Sequence, residues 1–208
     1  MMLRELSQQT VFAEIAAMVE DGSRVLDIGC GDGALLQLLI TAKRVRALGI
    51  DIKEDAVLSC IGKGIPVIHG NLDEELVHCR EGMYDYVILS RTLQVVTQPH
   101  RVLQEIVRIG KKAIVSFPNF GHYRIRKFLF VKGRMPKSTA LPFEWYDTPN
   151  IHHLTIRDFF IFCRKHGIDI LAHRYFGNRE GDRTHTVVPN LFAREALFVI
   201  QKKHVAGK

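Results

Sequence analysis

The sequence predicts an α/β fold, a doubly wound and mostly parallel sheet with helices on both faces. Short apolar segments alternate with amphipathic ones along residues 1–118, and a glycine-rich turn follows the first apolar segment. This alternation is typical of βαβ units, whose strands lie parallel and are buried on both faces. The chain has 208 residues and is 47% hydrophobic, so we expect one domain around one core.

The elements of the first half follow in βα order. A leading helix is indicated by Leu6, Val11, Ile15 and Val19, which recur at helical spacing before a turn. We then expect strands at 24–28, 45–52, 65–69, 84–89 and 112–117, and helices at 34–41, 54–63 and 99–109.

The pattern changes after Pro118. Residues 119–133 suit a basic amphipathic helix, and residues 134–153 are loop-like and contain three prolines. A further helix over 155–165 begins at a Thr155 N-cap. The last strands are expected at 168–175 and 196–201, and the polar residues 177–189 between them are expected to be mobile. We therefore divide the domain into a cofactor-binding half, 1–118, and a basic, aromatic-rich substrate or partner half, 119–208.

Charge and cysteine usage narrow the function classes. Residues 1–118 hold 13 Lys and Arg against 15 Asp and Glu, whereas residues 119–208 hold 16 against 7. The basic character therefore belongs to the second half.

The four cysteines lie far apart and contain no CxxC pair, so we expect reduced thiols and no metal site. With no apolar run near the ~18 residues of a membrane span and no signal peptide, a cytoplasmic protein is expected.

The glycine turn 27–33, Asp-Ile-Gly-Cys-Gly-Asp-Gly, separates a predicted strand from a predicted helix. Glycines there let the backbone approach a ligand, and the amides of the helix N-terminus face it. Gly29, Gly31 and Ala34 also satisfy the dinucleotide fingerprint G-x-G-x-x-A, and Asp51 stands 20 residues after Gly31. Two classes of cofactor fit this pattern.

Asp27 discriminates between the two classes. A carboxylate two residues before the first glycine repels a pyrophosphate and attracts an ammonium group. S-adenosylmethionine carries an ammonium and no phosphate, so we expect it, or S-adenosylhomocysteine, as the cofactor. Asp51 is placed to accept both ribose hydroxyls with either cofactor. The alternative without a ligand is that Asp27 caps a helix or braces the loop.

Segments 25–33, 49–51 and 70–73 resemble the first three cofactor motifs of class I S-adenosylmethionine-dependent methyltransferases. The resemblance implies a Rossmann-like sheet of about seven strands with an antiparallel last strand. It also places the adenine near Asn71, where the family often has aspartate, and an amide can still meet the adenine edge. The predicted cofactor-binding residues are Asp27, Ile28, Gly29, Cys30, Gly31, Gly33, Asp51, Ile52, Asn71, Leu72 and Ser90.

Taken whole, the sequence resembles the MetW family of methionine biosynthesis proteins. The resemblance is carried by the glycine loop and by segments 71–75, 116–122, 133–136, 141–142 and 144–152. That family is associated with a homoserine O-acyltransferase of the α/β-hydrolase fold, which it is expected to support as a partner. Because S-adenosylmethionine is the downstream product of the pathway, a domain that binds it would report its level to the acyltransferase.

No reaction motif follows the cofactor motifs, so no catalytic residue is predicted. The Asn-Pro-Pro-aromatic sequence of amino-group methyltransferases is absent after strand four, where Ser90-Arg-Thr-Leu-Gln94 stands. An active methyltransferase on a small molecule or protein is the alternative, because methyl transfer needs little beyond alignment. The substrate or partner candidates are Phe117, Asn119, His122, Tyr123, Trp145 and Tyr146.

RNA methylation is a further alternative, suggested by the basic residues Arg124, Arg126 and Lys127 beside aromatic ones. We favour a simpler interpretation, in which these residues form the solvated face of an amphipathic helix. Neither nucleic acid nor a membrane is therefore the expected partner.

Overall fold

The computed structural model describes residues 2–137, 141, 143–177 and 188–203, with side chains for all of these except 2–7 and 73. The strands are β1 Arg24–Ile28, β2 Arg46–Asp51, β3 Val67–His69, β4 Tyr84–Ser90, β5 Gly110–Pro118, β6 Ile168–Phe176 and β7 Glu195–Lys202. The helices are α1 Met2–Met18, α2 Ala34–Lys43, α3 Glu54–Gly62, α4 Leu72–Glu75, α5 Pro99–Ile109, α6 Tyr123–Lys132, α7 Ile156–Lys165 and α8 Pro189–Phe192, with a 3-10 helix at Leu76–His78.

The seven strands form one sheet in the order β3-β2-β1-β4-β5-β7-β6. Strands β1 to β5 are parallel, and β7 lies antiparallel between β5 and β6. The predicted fold class is confirmed, including the antiparallel last strand. The strand order reverses between β1 and β4, and open α/β sheets bind ligands in the crevice at such a reversal, beyond the carboxyl ends of the strands.

Successive side chains of each strand point to opposite faces of the sheet. Both faces are apolar, and helices cover both of them. In β4, Val87 packs into the core beneath α5 and α7, whereas Ile88 packs into the core beneath α1 and α2. The amphipathic α5 contributes Ile106 to the first core, and α1 contributes Ile15 to the second. This double burial explains why the strands read as continuous apolar runs.

The predicted N-cap of α7 is confirmed. Thr155 Oγ1 accepts a hydrogen bond from the Asp158 amide at 3.2 Å, and the Asp158 carboxylate accepts one from the Thr155 amide at 3.0 Å. This capping box satisfies two amides at the helix start.

Three short elements were not expected from the sequence, namely α4, α8 and the 3-10 helix after α4. Each contains about one turn, too short for a hydrophobic period to be recognised. Strand β3 also begins two residues later than expected, after Pro66. Most of the segment expected to be mobile, 178–187, lies outside the described residues.

Among the described helices, none combines the length and the apolar character needed to span a membrane. The described part of the chain also brings no three His, Cys, Asp or Glu side chains together in a way that could hold a metal ion.

Candidate cofactor site

The glycine loop joins β1 to α2 at the reversal of strand order. Gly29, Gly31 and Gly33 have φ angles of 72°, 56° and 76°, in the left-handed region that favours glycine. The amides of Gly29 and Cys30 donate to the Ile50 carbonyl at 2.8 and 3.2 Å. The loop is therefore fastened to the end of β2.

The three glycines are required for different reasons. A Cβ on Gly29 would lie 2.6 Å from Thr92 Oγ1, and a Cβ on Gly33 would lie 2.7 Å from Ile65 Cδ1. A Cβ on Gly31 would meet nothing within 4 Å. Gly29 and Gly33 thus permit close packing, whereas Gly31 faces open space that a ligand can occupy.

Asp51, at the end of β2, connects that strand to the loop. Its Oδ2 accepts from the Gly31 amide at 2.8 Å and its Oδ1 from the Lys53 amide at 3.0 Å. Each carboxylate oxygen has a second lone pair, so Asp51 can also accept from two hydroxyl groups. The neighbouring Ile52 side chain is 65% exposed, and Asn71 beyond β3 is half-buried. The space beside Ile52 and Asn71 can therefore accommodate a ligand group that is flat and apolar and has a polar edge.

Asp27 is a buried carboxylate with an unsatisfied atom. The residue is 2% exposed, and its Oδ1 has no hydrogen-bond partner. Burial, and secondly the charge of Asp51, raise the pKa of Asp27 to about 7. The N-cap of α2 is Gly33, without a side-chain cap, so Asp27 does not cap that helix. A buried carboxylate of this kind is unfavourable unless a cation or donor meets it.

The Cys30 side chain packs between β2 and α3. Its side chain fills the space above Gly49, where a Cβ would lie 2.6 Å from Cys30 Sγ. Its Sγ lies 4.0 Å from Cys60 Sγ, and burial raises the pKa of Cys30 well above its usual range. The thiol is therefore an inert packing group.

The segment after β4 covers the loop and joins the two halves of the chain. Ser90 Oγ lies 3.1 Å from Ser116 Oγ at the end of β5. Arg91, with a positive φ of 54°, forms a two-pronged ion pair with the buried Glu195, and Arg91 Nε donates to Glu195 Oε1 at 2.7 Å. No local pattern marks this contact, since the partners are 104 residues apart.

Two further side-chain polar atoms, one in this segment and one in a segment that adjoins it, have no hydrogen-bond partner. The Gln94 carbonyl accepts from the amides of Ile151 and His152 at 2.9 and 3.1 Å, so the two segments adjoin. Gln94 Oε1 and His152 Nε2 are both buried and make no hydrogen bond. Sequence reasoning assigned no role to either side chain, although His152 lies in segment 144–152, which carries the family resemblance.

Phe117 and Asn119, predicted as substrate or partner candidates, lie in the interior. The Phe117 ring packs between Phe159 and Phe198, with centroids 5.0 and 5.7 Å away. Asn119 Nδ2 donates to the Ala193 carbonyl at 2.8 Å, and its Oδ1 accepts from the Gly121 amide at 2.9 Å. Both side chains hold the end of β5 in place.

His122 and Tyr123 lie at the start of α6. His122 is its N-cap, and its Nδ1 accepts from the Arg124 amide at 3.2 Å. Burial, assisted by the charges of Arg194 and Arg124, lowers the pKa of His122 to about 4, so the ring is neutral at pH 7. Tyr123 is half-buried, and its ring lies 5.9 Å from that of Phe192.

Trp145 and Tyr146 are on the surface, 74% and 73% exposed, with their rings edge to face at 5.6 Å. Trp145 lines a cavity of about 500 Å³ between α6 and the following loop. The basic residues Arg124, Arg126 and Lys127 are exposed on α6, while Ile125 is buried beneath it. The six candidates are therefore not brought together in one pocket.

The family model described as "Methionine biosynthesis protein MetW" matches residues 9–200 of this chain. A curated relative from Rhodopirellula baltica, "Bifunctional methionine biosynthesis protein MetXA/MetW", is 36% identical over 153 residues. The match covers 69% of this chain and 25% of the relative. The chain thus spans about a quarter of the length of that longer protein.

Solved structures share the fold at lower identity. A SAM-dependent methyltransferase from Archaeoglobus fulgidus superposes with a TM-score of 0.68 at 18% identity, covering 94% of this chain and 95% of that one. Magnesium protoporphyrin IX methyltransferase from Synechocystis PCC 6803, solved with bound SAH, gives a TM-score of 0.67 at 17% identity, covering 95% and 84%. These similarities show the methyltransferase fold.

Proposed function

Since this chain belongs to the MetW family of methionine biosynthesis proteins, we propose that it binds S-adenosylmethionine at the glycine loop and supports a homoserine O-acyltransferase in the cytoplasm. Its family and fold make it a methyltransferase-fold protein of methionine biosynthesis. The specific cofactor, the residues that hold it and the α/β-hydrolase partner are the proposal.

The single observation that carries cofactor binding is the unsatisfied carboxylate of Asp27. An ammonium group at Asp27 Oδ1 would provide the missing charge and hydrogen bond. Asp51 would accept the ribose hydroxyls, and Ile52, Asn71 and Leu72 would surround the adenine. Gly31 would leave room for the amino-acid part, and Ser90 would close the pocket. S-adenosylhomocysteine has the same ammonium and ribose, so it would bind at the same place.

Calorimetric titration of S-adenosylhomocysteine tests this assignment. We expect Asp27→Asn to weaken binding about 100-fold, because it removes the charge that faces the ammonium. Asp32→Asn is the matched control, since Asp32 lies in the same loop but is exposed and paired with Lys63 at 2.9 Å. Equal affinity of the Asp27 variant and the wild type would contradict the proposed site.

Partnership with the acyltransferase is supported by the relative whose name joins MetXA and MetW in one chain. Fusion in one polypeptide keeps two domains at a high effective concentration relative to each other. Such a fusion is useful when the two domains must bind each other to function. If the cofactor regulates the partner, it must have different affinities for the free and complexed chain.

Co-purification with the homoserine O-acyltransferase of the same genome tests the partnership. We expect a complex, and a change in acyl transfer when this chain is added, with a further change on addition of S-adenosylmethionine. No complex together with unchanged acyl transfer would refute the partnership. Cofactor binding would then stand on the calorimetry alone.

The unsatisfied Gln94 and His152 favour methyl transfer as a second candidate function. Gln94 Oε1 would accept a hydrogen bond from the O–H or N–H of a small acceptor, and His152 Nε2 is a second atom available for such a bond. We expect S-adenosylhomocysteine release to rise with such an acceptor and to fall in Gln94→Met. No stimulation across a broad set of hydroxyl and amine acceptors would count against it.

A further inference from the structure

The loop after α6 exposes large aromatic side chains beside an apolar cavity. The cavity of about 500 Å³ is lined by Ile125 and Leu129 of α6 and by Phe143 and Trp145 of the loop. We call Leu129, Phe143, Trp145 and Tyr146 the aromatic surface. A cluster of exposed apolar groups next to a cavity is typical of an interaction site, because water contact with it is unfavourable.

The aromatic surface is built on anchored elements. Ile125, which forms one wall of the cavity, is 8% exposed beneath α6. On the other side, the Phe120 ring meets the His153 ring edge to face at 4.4 Å, and both line the cavity. A cavity with fixed walls can receive a side chain with little ordering of its own residues.

Basic side chains flank the aromatic surface on the α6 side, whereas the loop itself carries the acidic Glu144 and Asp147. Residues 119–137 contain six basic side chains and no acidic one. Lys127 and Lys132 are exposed on α6, and the Arg134 guanidinium lies over the Phe128 ring at 5.8 Å. In the adjoining loop, Lys137 pairs with Glu144 at 3.0 Å. A complementary partner therefore presents an apolar side chain to the cavity and acidic side chains to the basic residues of α6.

We propose that the aromatic surface is the docking site of the homoserine O-acyltransferase, which places an apolar side chain in the cavity and acidic side chains against Lys127 and Lys132. The inference rests on the proposed function. This occupant is chosen over a second copy of the chain for two reasons. The curated relative carries a MetXA part in the same polypeptide, and two copies would bring like-charged helices α6 together.

Trp145 is the single tryptophan of the chain, so it reports on the surface directly. Incorporation of 5-fluorotryptophan gives one fluorine resonance from the otherwise unaltered protein. We expect this resonance to shift and lose its solvent isotope effect when unlabelled acyltransferase is added. An unchanged resonance in a complex verified by size-exclusion chromatography would overturn the proposed docking site.

Variants test the apolar contact of Trp145 and the basic side chains of α6 separately. We expect Trp145→Ala to weaken the complex by about 10- to 100-fold, and Lys127→Glu with Lys132→Glu to slow association most at low salt. Leu58→Ala in α3 is the matched control, since Leu58 is also apolar and 59% exposed. Equal weakening by Leu58→Ala, or none by Trp145→Ala, would overturn the assignment.

The other outcomes are equally distinct. If the wild-type chain forms no complex, the proposed partnership fails, and this occupant fails with it. If a complex forms but tolerates Trp145→Ala, the partnership stands and only the docking site is overturned. A fluorine shift that follows the concentration of the chain alone identifies a second copy as occupant, and one produced by an RNA oligonucleotide identifies nucleic acid. Either would overturn the proposal.

Discussion

The glycine loop and the aromatic surface, one in each half of the chain, are built in opposite ways. The loop is held by backbone hydrogen bonds and left-handed glycines, and its carboxylate Asp27 is 2% exposed. The aromatic surface depends on side chains, and Trp145 is 74% exposed. A change at a buried position of the loop is therefore expected to alter both the fold and the proposed cofactor binding, whereas a change at the aromatic surface is expected to alter recognition alone.

The largest expected effect falls on the ion pair that joins the two halves. Arg91→Met leaves the buried Glu195 carboxylate without its partner, so we expect the free energy of unfolding to fall by about 3–5 kcal/mol. Urea denaturation at pH 7 measures it. The double variant Arg91→Met, Glu195→Gln should recover most of the loss. A stable single variant would show that the halves are not coupled through this pair.

Within the loop, two glycines should respond differently. Gly29→Ala introduces a Cβ against Thr92 at a φ of +72°, so we expect a loss of about 2–4 kcal/mol in stability. Gly31→Ala meets open space and should lose only about 1 kcal/mol, yet bind S-adenosylhomocysteine at least about tenfold more weakly. Thermal unfolding and calorimetry separate the two. Thr92→Ala should partly rescue Gly29→Ala, and failure of that rescue would contradict the contact.

The buried charge of Asp27 should make stability depend on pH. Its folded pKa of about 7 lies above the ordinary 3.8, so its contribution to stability is present below pH 4 and lost as pH rises through 7. Relative to Asp27→Asn, the wild type should lose roughly 2–3 kcal/mol between pH 5 and pH 8.

Denaturation series at several pH values measure this difference, and saturating S-adenosylhomocysteine should reduce it, because a bound ammonium compensates the carboxylate. Parallel pH profiles of the two proteins without ligand would contradict the raised pKa.

The smallest expected effect on stability is at the aromatic surface. Trp145→Ala removes an exposed ring, so the free energy of unfolding should change by less than about 0.5 kcal/mol. Thermal unfolding with circular dichroism checks this. A large loss would mean that Trp145 supports the core, and the contrast with the loop would disappear.

Local patterns predicted much of the fold. The alternating apolar segments located all seven strands that the described residues form, and the N-cap of α7 followed from Thr155. The glycine run and Asp51 located the candidate site because the first βαβ unit brings them together, as the 2.8 Å bond from Gly31 to Asp51 shows. Short elements such as α4 lack enough residues for a period to be detected.

Long-range contacts could not be predicted in this way. Two contacts, that of Thr92 with Gly29 and that of Arg91 with Glu195, depend on how segments distant in the sequence pack together. No spacing of residue types in the sequence predicts such packing. For the same reason, nothing local distinguishes Phe117, which fills the core, from Trp145, which is exposed. Which residues of the second half contact a substrate or partner stays a prediction, to be decided by the variants above.

The position of β7 has a consequence for synthesis of the protein. Strand β7, which is synthesised after both of its neighbours, lies between β5 and β6, with its central residues buried. Until the ribosome has released it, β5 presents an unpaired apolar edge and β6 has no strand to join. Pairings of such large sequence separation form slowly, and an open edge of this kind is prone to aggregation. The nascent chain therefore passes through a vulnerable interval that ends only when β7 inserts.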